Sequence, residues 1–372
     1  MTRVFVVAPR STPGGSQRVL AGLVRHLPAH DVEVWASLFE HGPLERWLTD
    51  AGCTTEVLDA GATRRPWRFA PSVLALAARA RDADVVLSNQ AKGHVYGGLA
   101  AARARVPAVW WQHESPTRRR TELVAAHVPS RAIVCCTPEI AAAQRRVAPQ
   151  RDVIVVPGGV AVGEIQARSG SGAAIRARHG WGDDPVVGMV GRFVAWKGHD
   201  VFLRSAALVA ARLPQARFVV VGGPGGPRGG ECAQAVTRLA EQLGIGDRTL
   251  FTGYQADPYP WFDAFDVVVN ASDDEPFGLV VLEAMALGKP VVATAAGGPR
   301  TIVEHDRSGL LVPPRGPAEM AHAIADVLTA PELAARLGEG ARQRVHEFEE
   351  EKMAERFAGV LREVGAPRVA NR

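Results

Sequence analysis

Two carboxylates in the second half of the chain have a spacing that could serve one extended ligand. Glu275 lies in a polar loop after the apolar run 267–269, and Glu283 lies within 279–287, a run of good helix formers without Pro or Gly. A helix rises ~1.5 Å per residue, which places the two carboxylates roughly 8–12 Å apart. One ligand could contact both only if it had about the length of a ribose-diphosphate-sugar. The free backbone amides at the helix start, near 277–280, would bind an anion between them.

Two cations, Arg192 and Lys197, stand between a predicted strand at 186–190 and a predicted helix that begins at His199. In an α/β fold this position is the carboxyl end of a strand, where ligands bind. Arg can hold a diphosphate through paired hydrogen bonds, and Lys acts as a compact point charge. The loop is neither a dinucleotide-binding Gly-x-Gly-x-x-Gly motif nor a Walker loop, so neither of those cofactors is implied.

The first half of the chain offers two similar strand ends. Gly14 and Gly15 follow the first predicted strand, where they let the backbone approach a ligand closely and a helix start points its amides at it. His113 lies just past a strand at 108–111, which places it at a ligand-binding edge or, as an isolated histidine, in a structural role. The segment 89–94 is predicted to be a weaker loop of the same kind.

Short apolar runs alternate with helix-like segments along the whole chain. Many runs are Val-rich and apolar on both faces, as in parallel strands covered by helices on both sides. The alternation predicts an α/β chain with two doubly wound domains. We predict strands at 4–8, 32–37, 54–58, 85–88, 108–111, 132–135, 153–156, 186–190, 216–221, 249–252, 267–269, 291–294 and 309–312. We predict helices at 16–27, 71–81, 92–103, 138–147, 199–213, 231–243, 279–287, 318–328, 332–345 and 352–364.

Around these residues the sequence resembles a known family. Glu275-x7-Glu283, within Glu-Pro-Phe-Gly-Leu-x-x-Leu-Glu-Ala-Met-Ala-x-Gly-x-Pro-Val-Val-Ala-Thr, looks like the donor-site motif of the retaining glycosyltransferases of family 4. That resemblance implies the GT-B fold, in which two Rossmann-like domains face each other across a cleft. The strand–helix pattern pauses and then restarts, which predicts domains at 1–160 and 185–350 joined by a linker at 161–184. The resemblance implies that the first domain lies on the acceptor side, that the second binds the nucleotide-sugar, and that a C-terminal helix at 351–372 could return to the first domain.

The resemblance also assigns roles to individual residues. It implies that Arg192 and Lys197, in Gly-Arg-x-x-x-x-Lys-Gly, hold the donor diphosphate, that Glu283 holds ribose hydroxyls, and that Glu275 meets sugar hydroxyls. His113 would orient the reacting sugar. The catalytic candidates are therefore His113, Glu275, Arg192 and Lys197. The candidates for binding the nucleotide-sugar are Gly14, Gly15, Arg192, Lys197, Gly253, Tyr254, Glu275, Phe277, Gly278, Leu279, Val280 and Glu283.

The sequence departs from the family pattern at two positions. Gln17 stands where many members have Glu, so an acceptor contact made through a charge is in doubt there. Thr301 occupies the Glu position of the usual Gly-Gly-x-x-Glu after Gly297, so the contacts of that loop are not implied.

The reaction implied is transfer of a sugar from a UDP- or GDP-sugar to a hydroxyl, with retention and without a cofactor. We expect metal independence because Asp273 and Asp274 are adjacent and form no Asp-x-Asp motif. An envelope glycan, a lipid-linked molecule and a small molecule are all open as acceptors. Two alternatives stay open: a nucleotide-sugar epimerase, which would turn over donor without acceptor, and a non-catalytic nucleotide-sugar-binding subunit, which would bind donor without turnover.

Charge and composition limit the classes of binding partner and the cellular compartment that we expect for this protein. The net charge is +4, but residues 1–160 carry 20 Lys and Arg against 13 Asp and Glu, which hints at an anionic partner for the first half. No nucleic-acid motif is present. The four cysteines lack metal spacing, and the chain has no apolar run of about 18 residues and no secretory signal, so we expect a cytoplasmic protein.

Two basic-aromatic stretches, 64–69 and 118–120, could contact anionic lipid headgroups at the inner face of the cell membrane. A solvated Arg-rich surface is the simpler interpretation. A peripheral membrane-binding module and an anionic acceptor remain alternatives for these residues. The oligomeric state is not indicated.

Overall fold

A computed structural model describes residues 1–58, 60, 66–117, 120–226 and 228–366 of the protein. These residues form two compact units, one built from Met1–Val160 and Phe348–Arg372 and the other from Ala161–Glu347. Each unit has a parallel β-sheet of its own.

The first unit is built on a seven-stranded sheet. Its strands are β1 (Thr2–Ala8), β2 (Val32–Leu38), β3 (Thr54–Val57), β4 (Val85–Asn89), β5 (Ala108–Gln112), β6 (Ala132–Cys135) and β7 (Asp152–Val155). Their spatial order is β3-β2-β1-β4-β5-β6-β7. Every residue of β4, β5 and β6 is buried, which explains why these strands are apolar on both faces in the sequence.

Helices connect successive strands of this sheet. They are α1 (Gly15–His26), α2 (Pro43–Asp50), α3 (Pro66–Arg79), α4 (Gln90–Ala104), α5 (Arg120–His127) and α6 (Pro138–Val147). The sequence did not predict α2 or α5, because each spans only 8 residues and buries two side chains. The predicted start of α3 at residue 71 was also wrong, since Pro71 lies inside this helix.

The strand order reverses between β1 and β4, which neighbour each other although two strands lie between them in sequence. Such a switch point separates the loops that follow the two strands and leaves room for a ligand at their carboxyl ends. The loop after β1 and the start of α4 therefore flank the switch point of the first unit.

The second unit repeats this design with a six-stranded sheet. Its strands are β8 (Val186–Val190), β9 (Arg217–Val221), β10 (Thr249–Gly253), β11 (Val267–Asn270), β12 (Val291–Thr294) and β13 (Leu310–Val312). Their order is β10-β9-β8-β11-β12-β13, so the switch point lies between β8 and β11. Its helices are α7 (Val162–Gln166), α8 (Gly172–His179), α9 (His199–Arg212), α10 (Gly229–Gln242), α11 (Tyr259–Ala264), α12 (Leu279–Ala286), α13 (Pro299–Ile302), α14 (Pro317–Thr329) and α15 (Pro331–Val345). The predicted α/β class with two Rossmann-like domains is confirmed.

The segment 161–184, predicted to be a flexible linker, contains the helices α7 and α8. The small residues around 170 suggested flexibility, but the backbone amides of Gly170 and Gly172 both donate hydrogen bonds to Oδ2 of Asp263, over 2.6 and 3.1 Å. Gly172 is also held against the backbone of Asp263, where a β-carbon would overlap it. The glycine therefore serves close packing within the second unit.

The last helix, α16 (Glu350–Gly365), belongs to the first unit. Its entry is fixed by a short parallel bridge, in which Val160 N donates to Phe348 O over 2.9 Å and Glu350 N donates to Val160 O over 3.3 Å. Phe357 then packs against Trp111 with ring centroids 4.7 Å apart. None of the helices in the described ranges is both long and apolar enough to cross a membrane.

Candidate functional site

The switch point of the second unit brings Lys197 and Glu275 together. Lys197 lies in the loop after β8, Glu275 lies in the loop after β11, and these two strands are neighbours. The ammonium of Lys197 donates to Oε2 of Glu275 over 2.5 Å. Gly198 allows this approach because it adopts φ +69 and lies against the carbonyl oxygen of Ala271, where a β-carbon would overlap.

Two further donors hold Glu275 in place. The side-chain amide of Asn270 donates to Oε2 over 3.1 Å, and the hydroxyl of Ser272 donates to the same oxygen over 2.9 Å. The backbone amide of Ser272 donates in turn to Oδ1 of Asn270 over 3.2 Å, which orients the Asn270 amide. Because all of these side-chain donors meet Oε2, the other carboxylate oxygen can accept hydrogen bonds from a ligand.

The charge state of Glu275 follows from two opposing effects. Burial of this carboxyl, of which 5% is exposed, would by itself raise its pKa. The Lys197 ammonium and the hydrogen bonds from Lys197, Asn270 and Ser272 outweigh burial and hold the pKa below the ordinary value of 4.5. Glu275 is therefore a buried anion at neutral pH.

The glycine pair Gly297-Gly298 supports the backbone of the Glu275 loop. The amide of Gly298 donates to the carbonyl of Glu275 over 2.7 Å, and a β-carbon at Gly298 would overlap the carbonyl oxygen of Phe277. This contact explains the two glycines through packing. Thr301 follows in α13 and is half-buried, and its amide donates to Gly298 O over 2.8 Å, so the departure at this position leaves the loop intact.

Glu283 is buried within α12, a helix whose other residues are all apolar. The hydroxyl of Tyr259, at the start of α11, lies 3.5 Å from Oε1 of Glu283. The helix begins after Gly278, whose φ of +105 suits glycine, and its first residues Leu279 and Val280 are half-buried. Tyr259 is a neighbour of this carboxylate that sequence reasoning did not find, because no motif marks it.

The remaining predicted residues of the second unit lie at the same edge of the sheet but are exposed. Arg192 follows β8. Its β-carbon lies close to Gly225, since a β-carbon placed on that glycine would be 2.9 Å from it. Gly253 ends β10 with φ +72, and Tyr254 beside it is 67% exposed. An exposed tyrosine ring at a carboxyl edge can stack on a planar ligand.

His199, directly after Gly198, is a buried neighbour of Lys197 that the sequence did not single out. Its ring stacks on Phe193 with centroids 4.8 Å apart. Burial and the nearby Lys197 charge lower the pKa of His199 to about 4. His199 is therefore neutral at physiological pH, and Lys197 is the cation of this pair.

In the first unit, His113 follows β5 and pairs with Asn89 at the end of the neighbouring strand β4. Nε2 of His113 lies 2.6 Å from Oδ1 of Asn89, and the His113 ring packs on Trp111 with centroids 4.6 Å apart. Burial lowers the pKa of His113 to about 3, so the imidazole is neutral and donates its Nε2 proton to Asn89. Nδ1 is then an acceptor.

Asn89 belongs to the segment 89–94 that the sequence indicated as a weaker ligand-binding loop, but its pairing with His113 was not predicted. The segment 89–94 was predicted to be a loop, but α4 begins at Gln90, immediately after β4 ends. Gln90 makes that abrupt turn with φ +63. The amide nitrogen of Asn89 is buried without a hydrogen-bond partner among the described residues. A buried unpaired donor costs about 1–3 kcal/mol, which a bound acceptor group would offset.

Gly14 and Gly15 lie at the start of α1, on the other side of the same switch point. Gln90 donates from Nε2 to the hydroxyl of Ser16 over 2.9 Å, and this hydroxyl donates to Oε1 of Gln17 over 3.1 Å. A β-carbon at Gly14 would meet Oε1 of Gln17 at 2.7 Å, so the buried amide fills the space beside that glycine. The Gly14–Gly15 loop and the start of α4 are thus linked through neutral side chains.

Of the two basic-aromatic stretches, Arg64, Arg65, Arg118 and Arg119 lie outside the described residues. In the described part, the Trp67 side chain is 70% exposed, whereas Phe69 packs on Tyr96 with centroids 4.7 Å apart. Among the described residues, no three His, Cys, Asp or Glu side chains lie close enough to hold a metal ion. All four cysteines are free thiols.

Comparison with known proteins decides the family. Residues 173–344 match the family model of the glycosyl transferases group 1, and residues 13–164 match that of glycosyltransferase family 4. The D-inositol 3-phosphate glycosyltransferase of Saccharomonospora viridis is 32% identical over 369 residues, which covers 92% of this chain and 80% of the relative. The chain belongs to glycosyltransferase family 4. The D-inositol 3-phosphate glycosyltransferase of Acidothermus cellulolyticus is 32% identical over 389 residues, which covers 96% of this chain and 79% of that relative.

Solved structures show the same fold. Anabaena Alr3699/HepE in complex with UDP has a TM-score of 0.86 at 25% identity, over 98% of this chain and all (100%) of that one. Sucrose-phosphate synthase from Thermosynechococcus elongatus has a TM-score of 0.79 at 25% identity, over 98% and 99% of the chains. The chain is thus a glycosyltransferase of the GT-B type, and the predicted enzyme class is confirmed.

Proposed function

We propose that this enzyme transfers a sugar from a UDP-sugar to a hydroxyl of its acceptor, with retention of the anomeric configuration. The observation that carries the proposal is the buried Lys197–Glu275 pair at the switch point of the second unit. These are the two residues that the family motifs Gly-Arg-x-x-x-x-Lys-Gly and Glu-x7-Glu assign to the diphosphate and the transferred sugar. UDP as the nucleotide is supported by its presence in the Alr3699/HepE complex.

In this proposal the second unit binds the donor. The diphosphate lies between Arg192, Lys197 and the amides at the start of α12, which stabilise the negative charge that develops on the leaving nucleotide. Glu283 accepts hydrogen bonds from the ribose hydroxyls, and the exposed ring of Tyr254 lies against the base.

Glu275 positions the transferred sugar. Because Asn270, Ser272 and Lys197 all hold Oε2, the carboxylate is fixed and its other oxygen is directed to sugar hydroxyls without reorganisation. The diphosphate competes with Glu275 for the Lys197 ammonium, so donor binding loosens this ion pair. The incoming hydroxyl attacks on the face that the diphosphate leaves, and the leaving diphosphate accepts its proton, which gives retention.

The first unit binds the acceptor in this proposal. His113 donates from Nε2 to Asn89, and its Nδ1 is free to accept a hydrogen bond from the reacting sugar or the acceptor. The neutral imidazole adds no charge beside the developing positive charge of the sugar. The proposed compartment is the cytoplasm, which the four free thiols support.

The proposal is tested by incubating the enzyme with UDP-glucose, other UDP-sugars and GDP-mannose, together with neutral and phosphorylated acceptors. NMR of the anomeric proton identifies the configuration of the product, and released nucleotide gives the rate. We expect an α-linked product from UDP-α-glucose or another UDP-α-sugar, and at least a tenfold lower rate for Glu275→Gln. A β-linked product would contradict retention, donor conversion without any acceptor would indicate an epimerase, and donor binding without turnover would indicate a non-catalytic subunit.

A further inference from the structure

The helices α3 and α5 of the first unit expose large apolar side chains to solvent. Among the described residues, seven large apolar side chains are exposed, and four of the seven lie on these two helices. They are Trp67 (70% exposed) and Leu74 (56%) on α3, and Leu123 (43%) and Val124 (51%) on α5. Both helices pack against the same helix, α4. We name these four side chains the apolar face.

The sequence of α3 makes its solvent side apolar over about three turns. The exposed residues of this helix recur at intervals of three and four positions: Trp67, Ala70, Pro71, Leu74 and Ala78. The opposite side, which includes the buried Leu76, packs within the unit. A surface helix usually carries polar residues on its outer side, so packing within the unit explains only one of the two apolar sides of α3.

The solvent side of α5 combines apolar residues with a cation. Arg120, Leu123 and Val124 are all exposed, and their spacing places them on one side of the helix. The acid of this helix, Glu122, is buried on the other side, where its Oε2 accepts a hydrogen bond from the hydroxyl of Thr117 over 2.9 Å. The side of α5 that meets solvent is therefore apolar and basic.

The charges of this helix layer are almost all positive. The helices α3, α4 and α5 contain five Lys and Arg residues against one acid, the buried Glu122. Glu56 pairs with Arg79 of α3, and Glu40 lies near Lys92 of α4. The exposed cations of these helices are Arg103, in the last turn of α4, and Arg120, in the first turn of α5.

This chemistry separates the possible occupants of the surface. An ordinary protein interface contains about ten hydrogen bonds, which need donors and acceptors on each side, whereas the apolar face and its two exposed arginines offer donors only. A second copy of the chain would bring like charges together. An anionic bilayer supplies phosphate oxygens for Arg103 and Arg120 and an apolar interior for the face. Tryptophan suits this boundary because its ring is apolar and its N–H is polar.

We propose that this side of the first unit docks on an anionic lipid bilayer. The apolar face enters the boundary between headgroups and acyl chains, and Arg103 and Arg120 bind lipid phosphates. Each arginine strengthens binding about fivefold, so docking is peripheral and reversible. The residues assigned to the donor belong to the second unit, and docking therefore concerns where the enzyme works rather than which sugar it transfers.

Vesicle sedimentation tests the proposal without donor or acceptor. The full-length enzyme is mixed with vesicles of phosphatidylcholine, or of phosphatidylcholine with phosphatidylglycerol, at low and at physiological salt. We expect binding to the anionic vesicles only, and weaker binding as the salt concentration rises. Arg120→Gln should weaken this binding about fivefold, and Arg120→Gln combined with Val124→Ser should weaken it about tenfold or more.

The second unit offers a matched control. Arg204 and Leu208 on α9 are exposed and lie four residues apart, as Arg120 and Val124 do on α5. Arg204→Gln combined with Leu208→Ser removes the same kinds of group outside the proposed surface, and its vesicle affinity should equal that of the wild type. All four substituted side chains are exposed, so the variants should keep the wild-type unfolding temperature, which thermal unfolding checks.

Fluorescence quenching tests the position of Trp67 in the bilayer. Brominated phosphatidylcholine, mixed with phosphatidylglycerol, quenches tryptophans that reach the acyl chains. Trp67→Phe keeps an aromatic ring, so we expect it to bind these vesicles as the wild type does but to lose most of the quenching. Trp261→Phe changes a half-buried tryptophan of α11 in the second unit, and it should keep the quenching.

Several results would overturn the proposal. They are a lack of binding to anionic vesicles, equal binding to neutral ones, and equal affinity in the wild type and the α5 double variant. A wild-type dimer that the α5 double variant converts to a monomer in analytical ultracentrifugation, without vesicle binding, would assign the face to a second copy of the chain. Vesicle binding by an enzyme that transfers no sugar would support docking and contradict the proposed function.

Discussion

The Lys197 ammonium lies 2.5 Å from Oε2 of Glu275 although only 12% and 7% of the two side chains are exposed. A buried ion pair is stable only if further hydrogen bonds compensate for the loss of water, and here Asn270 and Ser272 supply them. The arrangement places a charged carboxylate and a cation at a ligand-binding edge. It also makes the pair sensitive to the loss of either partner.

We predict that Lys197→Met or Glu275→Gln alone destabilises the second unit by about 3–5 kcal/mol, because each leaves a buried group without its counter-charge. The double variant should lose less than the sum of the two. The exposed pair Arg315–Asp273, 2.8 Å apart with 76% of the arginine side chain exposed, is the control, and Arg315→Met should leave the free energy of unfolding close to the wild-type value because solvent screens this pair. Urea unfolding combined with hydrogen exchange of the second unit measures these values, and additive losses in the double variant would show that the pair is not coupled.

The same pair predicts a pH dependence of stability. The pKa of Glu275 is lower in the folded than in the unfolded protein, so its stabilising contribution is present above about pH 4.5 and is lost as pH falls through the folded pKa. Thermal unfolding between pH 3 and 6 should therefore fall less steeply below about pH 4.5 in Glu275→Gln than in wild type. Parallel curves for the two proteins would argue against a depressed pKa.

The buried His113 affects the stability of the protein at higher pH than Glu275 does. The pKa of His113 falls from 6.5 to about 3 through burial, so the unfolded state takes up a proton below about pH 6.5 that the folded state refuses. Stability should decline as pH falls through this window. Nitrogen chemical shifts of His113 should not titrate between about pH 5 and 8, whereas a midpoint near 6.5 would show that the imidazole is not buried as described.

Asn89 should affect turnover but not donor binding. Asn89→Ala removes the acceptor that fixes Nε2 of His113, and misplacement of a positioning group can lower the rate by up to about 100-fold. UDP affinity should stay at the wild-type value because Asn89 and the donor residues belong to different units. Initial rates and calorimetry on one preparation separate the two effects, and an unchanged rate would remove the Asn89–His113 pair from the proposed mechanism.

Most of the fold could be predicted from local patterns in the sequence. The apolar strands were predicted within one or two residues, because strands buried on both faces leave a continuous apolar run between turn residues. The short helices α2 and α5 were missed, since eight residues with two buried side chains give a weak period. The helices in 161–184 were not predicted, because the small residues there suggested a flexible linker, whereas Gly172 packs closely against Asp263.

The site, like the fold, could be predicted only in part from the sequence. Motif residues such as Glu275 and Lys197 could be found because their types and spacing are local, yet their direct pairing joins positions 78 residues apart and required the sheet order. Asn89 was indicated only as part of the candidate loop 89–94 and Tyr259 carries no motif, so the contacts of both residues were seen only in the structure.

The measurement that tests the central claim most directly is calorimetric titration of the enzyme with UDP, with GDP as the comparison. The variants are Glu283→Gln, which loses the proposed ribose contact, and Glu332→Gln, an exposed control in the first turn of α15. We predict that UDP binds the wild type and Glu332→Gln equally, and that Glu283→Gln binds UDP about 10- to 100-fold more weakly, as expected for lost hydrogen bonds to a charged group. Equal UDP affinity in all three proteins, or binding of neither nucleotide, would contradict the assignment of the donor site to the second unit.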